Sequence, residues 1–324
     1  MRRWQRLEEV AGLDDGCVVT IGVFDGVHRG HAALIARGVK AAARRGLPCV
    51  AVTFEPHPAR VFAPDRAPLL LTTPVRKAEL IADLGVDVLL SVPFTREFAA
   101  LSPAAFVADV LRDRLHARLV VVGDNFTFGH RAAGTVAELT TLGAGAGFAV
   151  DAVALVGAEN GRISSTRIRA ALAAGEVEEV TTLQGQPFRS DGLVVHGEQR
   201  GRALGYPTAN LDRPGDLAVP ADGVYVGWVV RLAPDGATAP VPPLGVGAIS
   251  VGTNPTFDGQ VRTVEAYILD FDGDLYGDRL GAQFEFRLRG QERFDSLNAL
   301  VVQMDADVAR ARSLVLPHRT GSGW

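Results

Sequence analysis

CVVTIGVFDGVHRGH, residues 17–31, decides the fold. It opens on CVVTIGVF, a run of apolar, largely β-branched residues without polar alternation, which is the pattern of a strand buried on both faces. From Gly22 to His31 the chain then holds three glycines, one Asp and two histidines three positions apart. HAALIARGVKAAARR, residues 31–45, takes up the helical period, and Gly46 is placed to stop it. Strand, glycine-rich turn and helix therefore follow one another.

Outward from this unit the same alternation repeats. CVAVTF, DVLLSVPF, RLVVVG and FAVDAVALV read as strands. RKAELIADLG, SPAAFVADVLRDRL and TVAELTTLG read as helices, the second opened by Ser102 and Pro103. Strands separated by helices imply an α/β domain with a parallel sheet covered on both faces. Ligands of such sheets sit at the carboxyl ends of the strands, where Gly22–His31 lies. GAGAG, residues 143–147, lacks the spacing of a dinucleotide-binding turn and precedes a strand instead of following one, so it reads as a loop.

Near residue 185 the pattern changes. PFRSDGLVVHG, GVYVGWVVRL, GVGAISVG, VRTVEAYILDF and AQFEFRLRG are short β-type runs separated by PDGA, FDGQ and FDGD. They predict an antiparallel β-barrel or sandwich. SLNALVVQMDADVARARSLV predicts a C-terminal helix. The boundary falls within LQGQPF, giving domains of residues 1–184 and 185–324.

The 324 residues are 47% hydrophobic and 22% charged, with a net charge of −4. That balance gives no global attraction to nucleic acid or to an anionic membrane. No apolar run is long enough to span a bilayer, and MRRWQRLEEV lacks the apolar segment of a signal peptide. The expectation is a cytoplasmic protein. Cys17 and Cys49 lie inside apolar runs and read as buried thiols. Lysine occurs only at positions 40 and 77. No Gly-Lys-Ser/Thr triplet exists, so a bound nucleoside triphosphate would not be held by a P-loop.

A glycine-rich turn leading into a helix lets a phosphate approach backbone N–H groups, and the helix dipole adds positive potential. His28 and His31 can donate hydrogen bonds to phosphate oxygens there, while Gly26 and Gly30 keep Cβ atoms out of the way. A zinc site would want a third ligand, and none accompanies the pair. On this stretch alone a tight turn with incidental histidines stays open. FEPHP (54–58) and GDNFTFG (123–129) follow two other strands and so belong to the same rim. ISSTRIR (163–169) brings hydroxyls and two arginines to a helix start, which suits a triphosphate or a simple N-cap.

GxFDGxHxGH, PHP, the GDNF turn and ISSTxxR, in this order, resemble the bacterial bifunctional riboflavin kinase/FAD synthetase family. The resemblance spans nearly the whole chain and implies that the first domain is an HxGH nucleotidylyltransferase with a Rossmann-like fold. It implies that His28 and His31 act on the ATP phosphates, with Gly22, Phe24 and Gly30 beside them. Ser164, Ser165, Thr166 and Arg169 would hold the triphosphate, and His57, Asp124 and Asn125 the flavin side. One departure is Thr127, where many members carry Arg. A class I synthetase shares HxGH but needs a lysine-bearing KMSKS-type loop, and no lysine follows Lys77.

GEQRGRALGYPTANL (197–211) reads on composition as an irregular loop. Beside NPTF (254–257) and VEAYILDFDGDLYG (264–277) it resembles the riboflavin kinase domain of the same family. That implies nucleotide contacts at Gly201 and Arg202, Mg²⁺ contacts at Thr208 and Asn210, and Glu265 as catalytic base. Asp270, Asp272 and Asp274 lack the spacing of a calcium loop and read as a tight turn. The resemblance implies riboflavin, FMN and ATP as substrates. An HxGH enzyme for another phosphate acceptor and a non-catalytic flavin-binding regulator are the alternatives. The sequence leaves the oligomeric state open.

Overall fold

In the computed structural model the described residues are 1–154, 157–158, 161–197, 204–233, 242–256 and 259–315. They form two compact units. The first comprises Met1–Pro68 with Pro74–Ser165, the second Leu69–Thr73 with Thr166–Trp324.

The first unit is built on six strands: β1 (Arg2–Trp4), β2 (Cys17–Ile21), β3 (Cys49–Glu55), β4 (Val88–Pro93), β5 (Ala117–Gly123) and β6 (Ala149–Val153). They lie in the order β1-β4-β3-β2-β5-β6 and every pairing is parallel. The chain winds from β2 outward through β3 and β4, then returns to β2's other side with β5. The strand order therefore reverses between β2 and β5, where the crevice of such a sheet opens. All five residues of β2 are buried. Cys17, Val19 and Ile21 pack into one apolar cluster, and Val18 into the cluster on the other face. Cys17 belongs to the first cluster and Cys49 to the second, so the sheet stands between the two thiols and no disulfide can join them. Burial pushes both thiols up to about 12.

The helix Arg29–Arg45 ends at Gly46 in the left-handed conformation, φ 64°, a position where a Cβ is strained. Ser102 accepts the Ala105 N–H at 3.1 Å and caps the next helix, with Pro103 at its first position. That helix continues as a π-helical stretch, Phe106–Arg112. Two expectations are corrected. β2 stops at Ile21, because Gly22 begins the turn. The helix Val136–Ala146 runs through most of GAGAG, with only Gly147 outside as its left-handed cap. β1 and the short hairpin β7 (Gly157–Ala158) and β8 (Gly161–Arg162) have no counterpart in the sequence reading.

The second unit contains β9 (Phe188–Val195), β10 (Thr208–Asp212), β11 (Gly223–Arg231), β12 (Pro243–Thr256), β13 (Gly259–Ile268), β14 (Arg279–Phe284) and β15 (Phe286–Arg289). Their order is β12-β13-β10-β9-β14-β11, and β11 pairs back to β12, closing an antiparallel six-stranded barrel. β15 continues β14 along β11 after a break at Glu285. The stretch expected to be an irregular loop ends instead in a strand, β10. Its apolar residues Ala209 and Leu211 are buried, and alternation turns Thr208 and Asn210 to the other face. The helix Leu297–Val315 lies over the barrel, packing Val308, Ala311 and Leu314 against Trp228, Val246 and Leu288. The helices Ser165–Ala174 and Val177–Gln184 precede the barrel. Ala221 N–H donates to Leu172 O, and Arg287 N–H to the Glu178 carboxylate.

Candidate active sites

The turn after β2 is built from strained backbone. Phe24, Gly26 and Val27 all have positive φ, at 51°, 80° and 38°. The Phe24 side chain is fully buried, and its ring fills the space in which a Cβ at Gly22 would stand, 2.6 Å away. Thr53 Oγ1 on β3 ties the turn down by donating to Val23 O at 2.9 Å. The glycine at position 22 is therefore needed for close approach of a ring within the turn.

His28 caps the helix Arg29–Arg45: its Nδ1 accepts the His31 N–H at 3.2 Å. The neutral imidazole then carries its proton on Nε2, a donor. The His28 and His31 rings stack at 3.6 Å and 13°, and Phe24 meets His31 edge-on. A Cβ on Gly30 would lie 3.1 Å from the His28 ring. His28 is only 6% exposed, and burial lowers its pKa to about 4, helped by the Arg162 charge. His31 is held well below the usual histidine range by burial first, then by His28 and Lys77. Its Nδ1 is buried without a hydrogen-bond partner among the described residues.

Ser165, at the start of the helix Ser165–Ala174, donates from Oγ to Asp25 O at 3.0 Å. The Ser-Ser-Thr segment is thus joined to the glycine-rich turn through Ser165, with Ser164 beside it. Thr166 and Arg169 follow on the same helix within the second unit. There Arg169 Nε donates to Leu69 O at 2.6 Å. Asp124 and Asn125 stand exposed in the turn after β5, next to β2 in the sheet. His57 follows β3 and caps the helix Pro58–Phe62, accepting the Ala59 N–H at 3.1 Å. His57 and the turn at Asp124 and Asn125 follow β3 and β5, the two strands that flank β2, at the carboxyl edge of the sheet.

In the second unit, β10 and β13 set Asn210 directly opposite Glu265 and Thr208 opposite Tyr267. Side chains directly opposite share a face. Thr208 Oγ1 reaches the Glu265 carboxylate at 3.5 Å. Gly197 lies against Asn210; a Cβ there would stand 2.7 Å from its Oδ1. A cavity of about 530 Å³ adjoins them, lined by Thr208, Asn210, Ala266 and Ile268 and by the turn 271–276. Glu265 is not among its lining residues; the carboxylates on its wall are Asp272 and Asp274. Within that turn Asp274 accepts the Tyr276 N–H at 2.9 Å, and Tyr276 stacks on His196. Gly201 and Arg202 fall outside the described residues, as does Phe257 of NPTF.

Comparisons with known proteins match both halves of the chain. A family model described as FAD synthetase matches residues 11–167, and one described as riboflavin kinase matches residues 184–315. The bifunctional riboflavin kinase/FMN adenylyltransferase of Pseudomonas fluorescens is 41% identical over 303 residues, 93% of this chain and 94% of its own length. The chain belongs to the bifunctional riboflavin kinase/FMN adenylyltransferase family. The Escherichia coli (strain K12) enzyme of that name is 38% identical over 298 residues, 92% of each chain. A solved structure described as a macrolide-efflux protein from Streptococcus pneumoniae has a TM-score of 0.85 at 35% identity, covering 96% of this chain and 98% of that one. Among the described residues no helix is long and apolar enough to cross a membrane.

As a member of this family the chain is a riboflavin kinase and an FMN adenylyltransferase that uses ATP. Two features of the first unit escaped the sequence reading. Lys77, noted there only for its rarity, is 6% exposed and forms an ion pair with Glu55 at 3.6 Å. A buried ammonium so loosely paired is the signal, and it depends on tertiary structure. The second is a chain of rings along the sheet's rim. Phe54, Phe94, Phe98, Phe106 and Phe128 touch in sequence, and Phe62, 59% exposed, meets Phe94. Each Phe taken alone reads as ordinary core.

Proposed function

We propose that adenylyl transfer to FMN takes place over the glycine-rich turn, with His28 and His31 as its catalytic residues. The stacked, neutral imidazole pair at a helix N-terminus carries this reading. The FMN phosphate is already an anion, so its attack on the α-phosphorus of ATP needs no general base. The barrier is repulsion between two polyanions. Donors fixed in advance reduce it: the His28 Nε2–H, the His31 ring and the N–H groups of Phe24 and Gly30, while the Gly22 N–H is held by Val52 O at 3.1 Å. Neutral imidazoles donate without first giving up a proton to the phosphate. Ser164, Ser165, Thr166 and Arg169 hold the triphosphate, and pyrophosphate departs. His57, Asp124 and Asn125 form the flavin side, and the rings at the rim offer a surface on which a planar heterocycle stacks.

Riboflavin phosphorylation is assigned to the cavity beside β10. Glu265 accepts the proton of the riboflavin 5′-hydroxyl as the γ-phosphoryl group arrives. Neutral oxygens of Thr208 and Asn210 on one strand face, with a carboxylate 3.5 Å from the first, suit a hard cation such as Mg²⁺. The space left by Gly197's missing Cβ supports that fit. When bound, the ion neutralises phosphate charge. The family resemblance adds Gly201 and Arg202 as nucleotide contacts. The domain boundary is placed between residues 184 and 185, and the cytoplasm is the proposed compartment, since both reactions consume ATP. Incubation with riboflavin, ATP and Mg²⁺ tests the assignment. One ADP should appear per flavin phosphorylated and one pyrophosphate per FAD. FAD without pyrophosphate, or neither FMN nor FAD formed from riboflavin, refutes it.

A further inference from the structure

The cavity beside Thr208 and Asn210 has two walls outside the barrel strands: the residues entering β10 and the turn 271–276. Each is gripped at its root by the helix Leu297–Val315. The Tyr206 hydroxyl, one residue before Pro207, donates to the Asp305 carboxylate. Asp270, one residue before Phe271, receives two hydrogen bonds from the Arg312 guanidinium, both 2.5 Å. Asp305 and Arg312 are seven residues apart and so lie on one face of the helix. Asp270 holds a left-handed backbone, φ 57°, without being glycine. Tyr206 also packs edge-on against Tyr267, the residue paired with Thr208.

The helix does not depend on these two contacts for its place. Asp307, nearly buried, receives the Arg289 guanidinium through Nε at 3.0 Å and Nη2 at 2.8 Å, and Gln303 adds a third donor. Its apolar face is packed on the barrel core. By contrast the Asp270 and Arg312 side chains are 69% and 45% exposed, and an exposed pair contributes little to folding. Two contacts of small value to stability thus both fall at the roots of the cavity walls. The Tyr206 hydroxyl is pushed up to about 12, mainly by its bond to Asp305, so it stays protonated as a donor through the neutral range.

We infer that Tyr206, Asp305, Asp270 and Arg312 are positioning residues for riboflavin phosphorylation, through which the terminal helix fixes the two walls of the kinase cavity relative to each other. This rests on the kinase reading of that cavity. Misplacing walls that align two substrates loosens both of them, and it does so without touching the proton-accepting carboxylate.

The test uses the full chain and compares Tyr206→Phe, Arg312→Asp, Asp270→Arg and the double variant Asp270→Arg/Arg312→Asp. Riboflavin phosphorylation, FMN adenylylation and thermal unfolding are measured for each. The three single variants should raise the KM of phosphorylation roughly ten-fold, with adenylylation and unfolding as in the unmodified protein. The charge-exchanged double variant should recover most of the lost KM. Unchanged KM in Tyr206→Phe and Arg312→Asp overturns the inference. So does a double variant no better than its parents, since then the charges matter separately. Should a charge reversal lower the unfolding temperature, the near-isosteric Tyr206→Phe decides. If the unmodified protein forms no FMN, the kinase reading fails and not this one.

Discussion

The surroundings of the histidine pair keep both rings uncharged. An unfolded chain takes up a proton on His28 near pH 6.5, the folded one only near 4. The stability contributed by neutral His28 is therefore complete above about pH 6.5 and is lost as pH falls toward 4, by about 3 kcal/mol in all. Denaturant unfolding of the protein and of His28→Gln at pH 7.5 and 5.0 should show a steeper acid loss in the unmodified protein; parallel losses would contradict this. Lys77 contributes the third of the causes that depress His31. In Lys77→Met the His31 imidazole should protonate at a higher pH, read by NMR titration, and an unmoved midpoint would show the ammonium to be without influence. His28, His31, Ser165 and Glu265 stand out in the sequence because spacing in a motif marks them. Lys77 does not, since its neighbours Glu55 and His31 come from other elements and only burial makes its charge unusual.

Elements were readable where one period dominates. β2 and β3 are buried on both faces and read as unbroken apolar runs; the helix Arg29–Arg45 carries both its period and its stop. β10 was hidden because glycines, a proline and polar residues surround TAN, and its two core residues, Ala209 and Leu211, are too few to set an alternation. GAGAG misled for a related reason: glycine is a poor helix former, yet Gly143 sits where the Phe148 ring comes within 2.6 Å of an added Cβ, so packing selects it. A comparable crowding lies in β11. A Cβ on Gly227 would stand 1.9 Å from Gln283 O, an atom of the neighbouring strand's backbone that cannot turn aside. Gly227→Ala should destabilise the barrel by about 1–3 kcal/mol or more, measured by denaturant unfolding, with kinase activity lost before adenylylation. A neutral substitution would mean that β11 and β14 can separate without cost.

For the whole molecule, the change from alternating helices and strands to short β runs was plain in the sequence, because two fold classes obey two periods. The helices Ser165–Ala174 and Val177–Gln184 were not assignable this way. Their association with the barrel rests on single bonds such as Arg287 to Ala174 O, which no pattern announces. On the proposed assignment, one chain carries two phosphoryl-type chemistries on separate constellations. The most direct measurement is of the two half-reactions, riboflavin to FMN and FMN to FAD, each started from its own substrate, in His28→Ala and Glu265→Ala. His28→Ala should lose roughly 100-fold or more in the second reaction and keep the first. Glu265→Ala should lose about as much in the first and keep the second. Equal loss of both reactions in either variant would contradict the account.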